Sequence, residues 1–498
     1  MNIKSLLAKP FAGVIYRQIQ KERISALADQ QNILNQLVKT GKATIFGKEH
    51  KFDQVNNPLE FQQAVPLRDY EAIKTYIEQI KKGTHNVLWK GKPIYFAKTS
   101  GTTSGVKYIP ITKDSISNHI NGARNALLTY MATTGQHQFV NGRMIFLSGS
   151  PVLERVAGIP TGRLSGIVNH HIPAYLRSNQ LPSYETNCIE EWEEKLDRIV
   201  DETILKDLTL VGGIPPWMQM YFDRIVARSG KSVKEVFPNL QVLVQGGVNF
   251  EPYKSKLFDT IGQSIDTIEL FPASEGFFAF QDTRDQQGLL LNTNSGIYYE
   301  FIPLANIHEA NPIRLNLSQV ALGVQYALVI NSNAGLWGYH IGDTVKFVSI
   351  EPYRIIVTGR VKHFISAFGE HVIGEEVEAA MLQVANEMNA SIVEFTVAPY
   401  IAQDEGKSYH EWLVEFERPP LDMELFKSKL DQAICAKNVY YQDLIAGNIL
   451  APLVLTVVPK NAFIEYMKSE GKLGGQNKVP RLSNDRKIAD ALRNQLGK

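Results

Sequence analysis

Thr99-Ser100-Gly101-Thr102-Thr103-Ser104-Gly105-Val106-Lys107 combines small residues, hydroxyl donors, a flexible backbone and a terminal cation. Glycines such as Gly101 let backbone N–H groups approach an anion, and the hydroxyls of Ser100, Thr102 and Thr103 add donors that can follow a phosphate chain. The stretch reads either as a polyphosphate-binding loop or as a flexible hairpin turn. It is not a Walker A loop: Val106 stands where the second glycine of GxxxxGK[ST] belongs, and Tyr108 follows the lysine. A P-loop also opens into a helix, whereas Tyr108-Ile109-Pro110-Ile111 continues as strand. Strands are expected at 94–98 and 108–112, with a helix from about Asp114.

Working outward, apolar runs at 143–148, 208–212, 240–245 and 267–271 alternate with amphipathic helical stretches, which is the pattern of an α/β fold. Toward the N-terminus, Ile24, Leu27, Ile33, Leu34 and Leu37 fall at helical spacing, so the chain is expected to open with one or two helices packed on the body. After Gly359 the character changes. Helices at 375–387 and 423–433, with strands at 392–397, 411–415 and 453–458, predict a small α+β domain, dividing the chain into 1–358 and 359–498. At 498 residues, at least two domains are expected.

Composition excludes several functions. Lys and Arg number 52 against 51 Asp and Glu, so there is no global field for nucleic acid or an anionic membrane. No stretch approaches the roughly 20 apolar residues that span a bilayer. Cys188 and Cys435 provide neither CxxC spacing nor a disulfide framework, which fits a cytoplasmic protein. No G-x-S-x-G elbow, zinc motif or dinucleotide fingerprint occurs.

Three further motifs accompany the loop. Leu270-Phe271-Pro272-Ala273-Ser274-Glu275-Gly276 places an aromatic and a carboxylate at the end of an apolar strand, suited to stack on an adenine and hold Mg²⁺ against phosphates, or to fill a core. Gly338-Tyr339-His340-Ile341-Gly342-Asp343-Thr344 offers an aspartate for ribose hydroxyls, or a turn shaped by its glycine. Gly359-Arg360-Val361-Lys362 lies at the expected domain boundary, where Arg360 reaches the same ribose or solvates a linker. His170, His171, Tyr175 and Arg177 are candidates for an acyl or acceptor pocket; such histidines are also common as partly buried structural residues.

The ordered set of TSGTTSG, aromatic-xx-Ser-Glu, GD and GR resembles the adenylate-forming superfamily of acyl ligases and luciferases. Within it the chain looks like a bacterial-type member of the Gretchen Hagen three family of acyl acid amido synthetases, best known from plants as hormone-conjugating enzymes. Further family-like stretches are Gly296-Ile297-Tyr298-Tyr299-Glu300-Phe301-Ile302-Pro303, His363-Phe364-Ile365-Ser366-Ala367-Phe368-Gly369-Glu370, and Asn477-Lys478-Val479-Pro480-Arg481, which matches a KxPR element. The resemblance implies a large N-terminal domain of β-sheets flanked by helices, a small C-terminal domain that rotates between half-reactions, and an active site between them. It implies that Ser100, Thr102 and Thr103 hold the β- and γ-phosphates of ATP, that Glu275 sits by Mg²⁺, that Asp343 and Arg360 bind ribose, that Lys362 is the hinge and that Lys478 is catalytic. Phe271 departs from the family, which commonly has tyrosine there; ring stacking survives, but a hydroxyl contact is lost.

The expected reaction activates a small carboxylic acid as its acyl-adenylate, then transfers the acyl group to an amine, with a free amino acid as the family's acceptor. A thioester-forming CoA ligase shares the first step, and a nucleotide-binding homologue without catalysis is the reading from another class. The partners expected are small molecules, with no nucleic acid, membrane or obligate protein partner.

Overall fold

In the computed structural model, the glycine-rich stretch is bracketed by two antiparallel strands, Tyr95–Ser100 (β1) and Val106–Ile111 (β2). The structure describes residues 3–100, 106–172, 177–247, 250–307, 309, 311–361, 364–365, 372–401, 408–446, 450–473, 478–483 and 485–496. The other strands are Arg143–Phe146 (β3), Glu154–Val156 (β4), Ile159–Gly162 (β5), Gln180–Leu181 (β6), Leu208–Gly213 (β7), Val242–Gly246 (β8), Asp266–Ala273 (β9), Gly276–Phe280 (β10), Leu289–Leu291 (β11), Ile297–Pro303 (β12), Gln325–Ser332 (β13), Tyr339–Ile350 (β14), Tyr353–Arg360 (β15), Phe364–Ile365 (β16), Val372–Ile373 (β17), Ser391–Tyr400 (β18), Tyr409–Arg418 (β19) and Val454–Val457 (β20).

The chain divides into two compact units, Met1–Gly247 with Ser264–Val357, and Val248–Gln263 with Thr358–Lys498. The larger unit holds an eleven-stranded sheet in the order β12-β13-β14-β15-β11-β10-β9-β8-β7-β3-β6. β6, β3, β7, β8 and β9 run parallel, while β10 pairs antiparallel with β9. Leu208, Leu210 and Val211 of β7 and Val242, Leu243 and Val244 of β8 are buried. Such near-continuous apolar runs suit parallel strands covered on both faces. A four-stranded sheet, β2-β1-β5-β4, carries the glycine-rich hairpin at its edge, and β1 runs parallel to β5 with Ala97 opposite Gly162.

Helix Ile116–Thr134 follows the hairpin and covers β9 and β10. At one end the Tyr130 hydroxyl donates to Asp266 Oδ2 at 2.6 Å, where β9 begins. Nearer the other end, Gly122 lets helix and sheet close together, because a Cβ there would lie 2.2 Å from the Phe277 ring.

The N-terminal segment is one helix, Ile3–Gly41, running through Pro10. Ile33, Leu34 and Leu37 are buried as expected, but Ile24 is 89% exposed and Leu27 47%. The buried stripe passes instead through Ala26 and Gln30. Gln30 Nε2 donates to the carbonyls of Thr293 and Ile297 at 2.9 Å, and its oxygen accepts from Tyr299 N at 2.9 Å. A fully bonded amide thus replaces an apolar side chain in the helix-to-β12 contact, and apolar spacing alone misplaces the face.

In the smaller unit, β18 and β19 pair antiparallel and β20 lies parallel to β19. Helices Gly374–Glu387 and Met423–Lys437 contribute Val377, Met381, Val384, Phe426 and Leu430 to a core with Phe395 and Trp412. Asp422 starts the second helix by accepting from Leu425 N at 2.9 Å. Helix Glu251–Ile261, which connects β8 to β9 in sequence, belongs to this unit. Among the described residues, no helix is long and apolar enough to cross a membrane.

Candidate active site

The β1–β2 ladder keeps perfect register from Tyr95 opposite Ile111 to Ser100 opposite Val106, so residues 101–105 connect two strands rather than a strand and a helix. Gly101, Thr102 and Thr103 lie outside the described residues, as does the Ser100 side chain. The stem is held from several sides. Lys98 Nζ donates to Glu154 of β4 at 2.8 Å, Tyr108 N donates to the Tyr70 hydroxyl at 2.8 Å, and the Lys107 ammonium lies 5.7 Å from the Tyr70 ring centre.

Beyond β2 the chain turns through a reciprocal cap. Thr112 N donates to Ser115 Oγ at 2.9 Å, Ser115 N donates to Thr112 Oγ1 at 3.1 Å, and the Ile116–Thr134 helix begins. Thr112 Oγ1 also donates to the Asn333 carbonyl at 2.7 Å, and Asn333 Nδ2 donates to the Asp114 carbonyl at 3.1 Å. The loop's exit is thereby fastened to the turn that leads from β13 to β14.

Ser274 and Glu275 form the two-residue tip of the β9–β10 hairpin, closed by Ala273 opposite Gly276. Phe271 packs edge-on against Phe278 at 5.1 Å between ring centres, inside the main apolar cluster, and Ser274 is buried beside it in sequence. Glu275 is half-buried. Asn118, on the helix after the glycine-rich loop, grips this hairpin through the backbone of Phe277 and also donates to Ser295 Oγ at 2.9 Å. Asn118 belongs to none of the sequence motifs. The signal for it is a polar residue four positions before Gly122 on the face that the helix buries.

Asp343 sits on a bulge of β14. Ala327 pairs with Thr344 and Val329 with His340, leaving extra residues on β14 where Gly342 adopts φ +92°. Bulges of this kind re-aim a side chain relative to the flat ladder. Asp343 itself is buried. The strand's start is pinned by Arg68: its N–H donates to Gly338 O at 2.8 Å, and its carbonyl accepts from His340 N at 2.7 Å. Arg360 is the last residue of β15, its side chain outside the description, and Lys362 also lies outside the described residues.

The histidine pair engages protein groups. His170 Nε2 donates to the Pro151 carbonyl at 2.9 Å, and His171 Nε2 is 3.1 Å from the Tyr95 hydroxyl, with the two rings edge to face. Burial, and then the nearby His170, hold the His171 imidazole below its ordinary pKa. Tyr95 begins β1, roughly 17 Å along that strand from Ser100 at the usual rise per residue. Arg177 donates to the carbonyls of His170 and Ile172 at 3.1 Å, stitching this loop's backbone; Tyr175 lies outside the described residues.

In the smaller unit Lys478 is exposed, and the chain just beyond it joins β18 through a parallel bridge of Val397 with Leu482. Among the described residues, no group of three or more His, Cys, Asp or Glu side chains is arranged as a metal cage. A Mg²⁺ ion carried on phosphates needs only one or two carboxylates, and the Glu275 carboxylate at a hairpin tip suits that role.

The chain matches the GH3 family N-terminal domain over residues 15–186, its central domain over 290–360 and its C-terminal domain over 375–487, together more than two-thirds of its length. It is 21% identical to a jasmonoyl–L-amino acid synthetase of Nicotiana attenuata, covering 91% of this chain and 90% of that protein. It is 27% identical to an indole-3-acetic acid-amido synthetase of Arabidopsis thaliana over 39% of this chain and 35% of that one. Among solved structures, the GH3.15 acyl acid amido synthetase superposes with a TM-score of 0.80 at 14% identity, over 96% of each chain. A 2-hydroxyisobutyryl-CoA ligase in its postadenylation state gives 0.61 at 13% identity, over 93% of this chain and 91% of that one. These likenesses confirm the expected α/β fold with its large sheet domain and smaller C-terminal domain.

Proposed function

This chain belongs to the GH3 family, and on that premise we propose that it is an ATP-dependent ligase that joins a small carboxylic acid to an amine, with an amino acid as the acceptor. The observation that carries the reading is the clamp of Asn118 on the β9–β10 hairpin, which sets the helix leaving the glycine-rich loop against the tip bearing Glu275. This supports a reading in which phosphate donors on the loop and a carboxylate for their metal serve one site.

A carboxylate is a poor acyl donor because oxide would have to leave. In the proposed first half-reaction, an oxygen of the acid attacks the α-phosphorus of ATP, that phosphorus releases pyrophosphate, and an acyl-phosphate anhydride forms. Negative charge crowds this transition state, so fixed donors and cations do the catalytic work. We assign Ser100, Gly101, Thr102 and Thr103 to the departing pyrophosphate, Phe271 and Ser274 to the adenine side, Asp343 and Arg360 to the ribose, and Lys478 to charge stabilisation at the α-phosphate. Glu275 would hold Mg²⁺, which would supply further charge neutralisation when bound. In the second half-reaction an amine that has lost its proton attacks the acyl carbon and AMP leaves. Rotation of the small domain about Lys362 between these steps belongs to the same reading. The free thiols Cys188 and Cys435 support a cytoplasmic setting.

The likeness to the 2-hydroxyisobutyryl-CoA ligase favours a second reading, thioester formation. One screen separates them: pyrophosphate release with a panel of acids, hydroxylamine trapping the activated acyl group, then amino acids against coenzyme A as acceptors. Amide products with amino acids are expected. AMP release with coenzyme A alone would replace the amide reading, and no pyrophosphate release with any acid would remove both.

A further inference from the structure

Arg481, in the smaller unit, leaves only 12% of its side chain exposed. Four hydrogen bonds to groups from three elements hold its guanidinium. Nε donates to Glu378 of helix Gly374–Glu387 at 2.9 Å, Nη1 donates to Glu394 of β18 and to the Phe395 carbonyl, and Nη2 donates to the Tyr253 hydroxyl at 2.9 Å. Tyr253, on helix Glu251–Ile261, donates in turn to the other oxygen of Glu394 at 2.8 Å. The guanidinium plane also lies 4.7 Å from the Phe395 ring centre. The backbone around it is laid along β18 with equal care. Thr396 Oγ1 donates to the Pro480 carbonyl at 2.7 Å, Val397 N donates to Arg481 O at 2.8 Å, and Ser483 N donates to Val397 O at 3.0 Å.

All of this order falls on Pro480, Arg481 and Ser483, two to five residues beyond Lys478, while Lys478 itself is exposed. A lysine is a point charge on a flexible stem, so its aim depends on where its backbone is held. Two carboxylates around one guanidinium also exceed what charge balance requires, whereas a planar five-donor fork needs that many acceptors to be fixed in orientation as well as position. We propose that Arg481 is a positioning residue for the reaction: with Glu378, Glu394 and Tyr253 it locks the 478–483 segment so that the Lys478 ammonium is delivered to one place. This rests on the reading of Lys478 as the charge-stabilising group of adenylation.

The test is a double-mutant cycle read by acid-dependent ATP–pyrophosphate exchange, with the thermal midpoint of every variant recorded. Lys478→Ala should slow exchange about 10²–10³-fold. Arg481→Gln should lower kcat about 10–100-fold with little change in KM for ATP, the cost of a misplaced catalytic group. In the Lys478→Ala background Arg481→Gln should cost nothing further, which loss of packing alone would not produce. Tyr253→Phe, which removes one hydroxyl, provides the milder variant should Arg481→Gln not fold, and it should show the same dependence on Lys478. Equal losses with and without Lys478, or an unchanged kcat in both Arg481→Gln and Tyr253→Phe, would overturn the positioning role while leaving Lys478 in place. Full exchange by Lys478→Ala would instead overturn the assignment of Lys478, and the positioning role with it.

Discussion

Asn118 and Phe277 exchange two hydrogen bonds: the side-chain Nδ2 donates to the Phe277 carbonyl at 3.1 Å, and the Phe277 N–H donates back to Oδ1 at 2.7 Å. One amide thus closes the edge of β10 that faces the helix, at a point two residues from Glu275. Asn118→Leu has a similar volume and leaves both backbone groups buried without partners. It should cost about 2–5 kcal/mol of stability, read from urea unfolding. A loss under 1 kcal/mol would mean that the clamp is not under load.

The Asp343 bulge depends on Gly342, whose φ of +92° is unfavourable to any residue with a Cβ, although the surrounding space is open. Gly342→Ala should therefore act through the backbone alone, costing about 1–2 kcal/mol. If Asp343 holds the ribose, its displacement should raise KM for ATP about tenfold, since 1.4 kcal/mol is a factor of ten. An unchanged KM would separate the bulge from nucleotide binding.

Glu275→Gln keeps the hairpin tip and removes its charge. The Mg²⁺ concentration giving half-maximal pyrophosphate exchange should rise about tenfold or more, as expected for a lost carboxylate beside a metal. Equal Mg²⁺ dependence in both proteins would free Glu275 from the metal.

His119 is buried in the helix after the glycine-rich loop, and among the described residues its Nδ1 has no hydrogen-bond partner. Burial pushes its pKa down to about 4. The unfolded chain therefore takes up a proton between about pH 6.5 and pH 4 that the folded chain refuses. Its contribution is whole above pH 6.5 and is lost as pH falls toward 4, on the order of 3 kcal/mol at the low end. Burial raises Glu22, Glu376 and Glu415, which act in the opposite sense, so the difference between proteins is the diagnostic quantity. Between pH 7 and pH 5, wild type should lose more stability than His119→Leu. Parallel pH profiles would contradict the buried neutral imidazole.

The motifs that lie on continuous strands were legible from residue types. The strand-loop-strand character of the glycine-rich stretch followed from Tyr108-Ile109-Pro110-Ile111, and the β9–β10 tip from an apolar run ending at Ser274-Glu275. The small-domain helices expected at 375–387 and 423–433 and the strands at 392–397, 411–415 and 453–458 lie within a few residues of their observed bounds, whereas the short helices Val439–Ala446, Ala462–Ser469 and Lys487–Arg493 were not expected. What stayed hidden were contacts between residues distant in sequence. Gln30 takes a core position because three backbone groups near β12 meet it, and nothing in residues 12–40 announces those partners. The exposure of Ile24 follows from the same rotation of the helix. Helix Glu251–Ile261 reads as an ordinary crossover between two strands, and its membership of the smaller unit depends on pairings such as Tyr253 with Arg481.

That last pairing has a consequence for synthesis. Tyr253 and Arg481 are 228 residues apart, so the helix leaves the ribosome long before the arginine exists. At about 5–20 residues per second the wait is roughly 10–45 s. Throughout it, the nascent chain carries Tyr253, Leu257 and Ile261, all buried in the finished protein, between two strands of a sheet that can already begin to assemble. Chaperones that shield apolar helices should engage this stretch, and stalling translation shortly before residue 481 should leave it open to proteolysis.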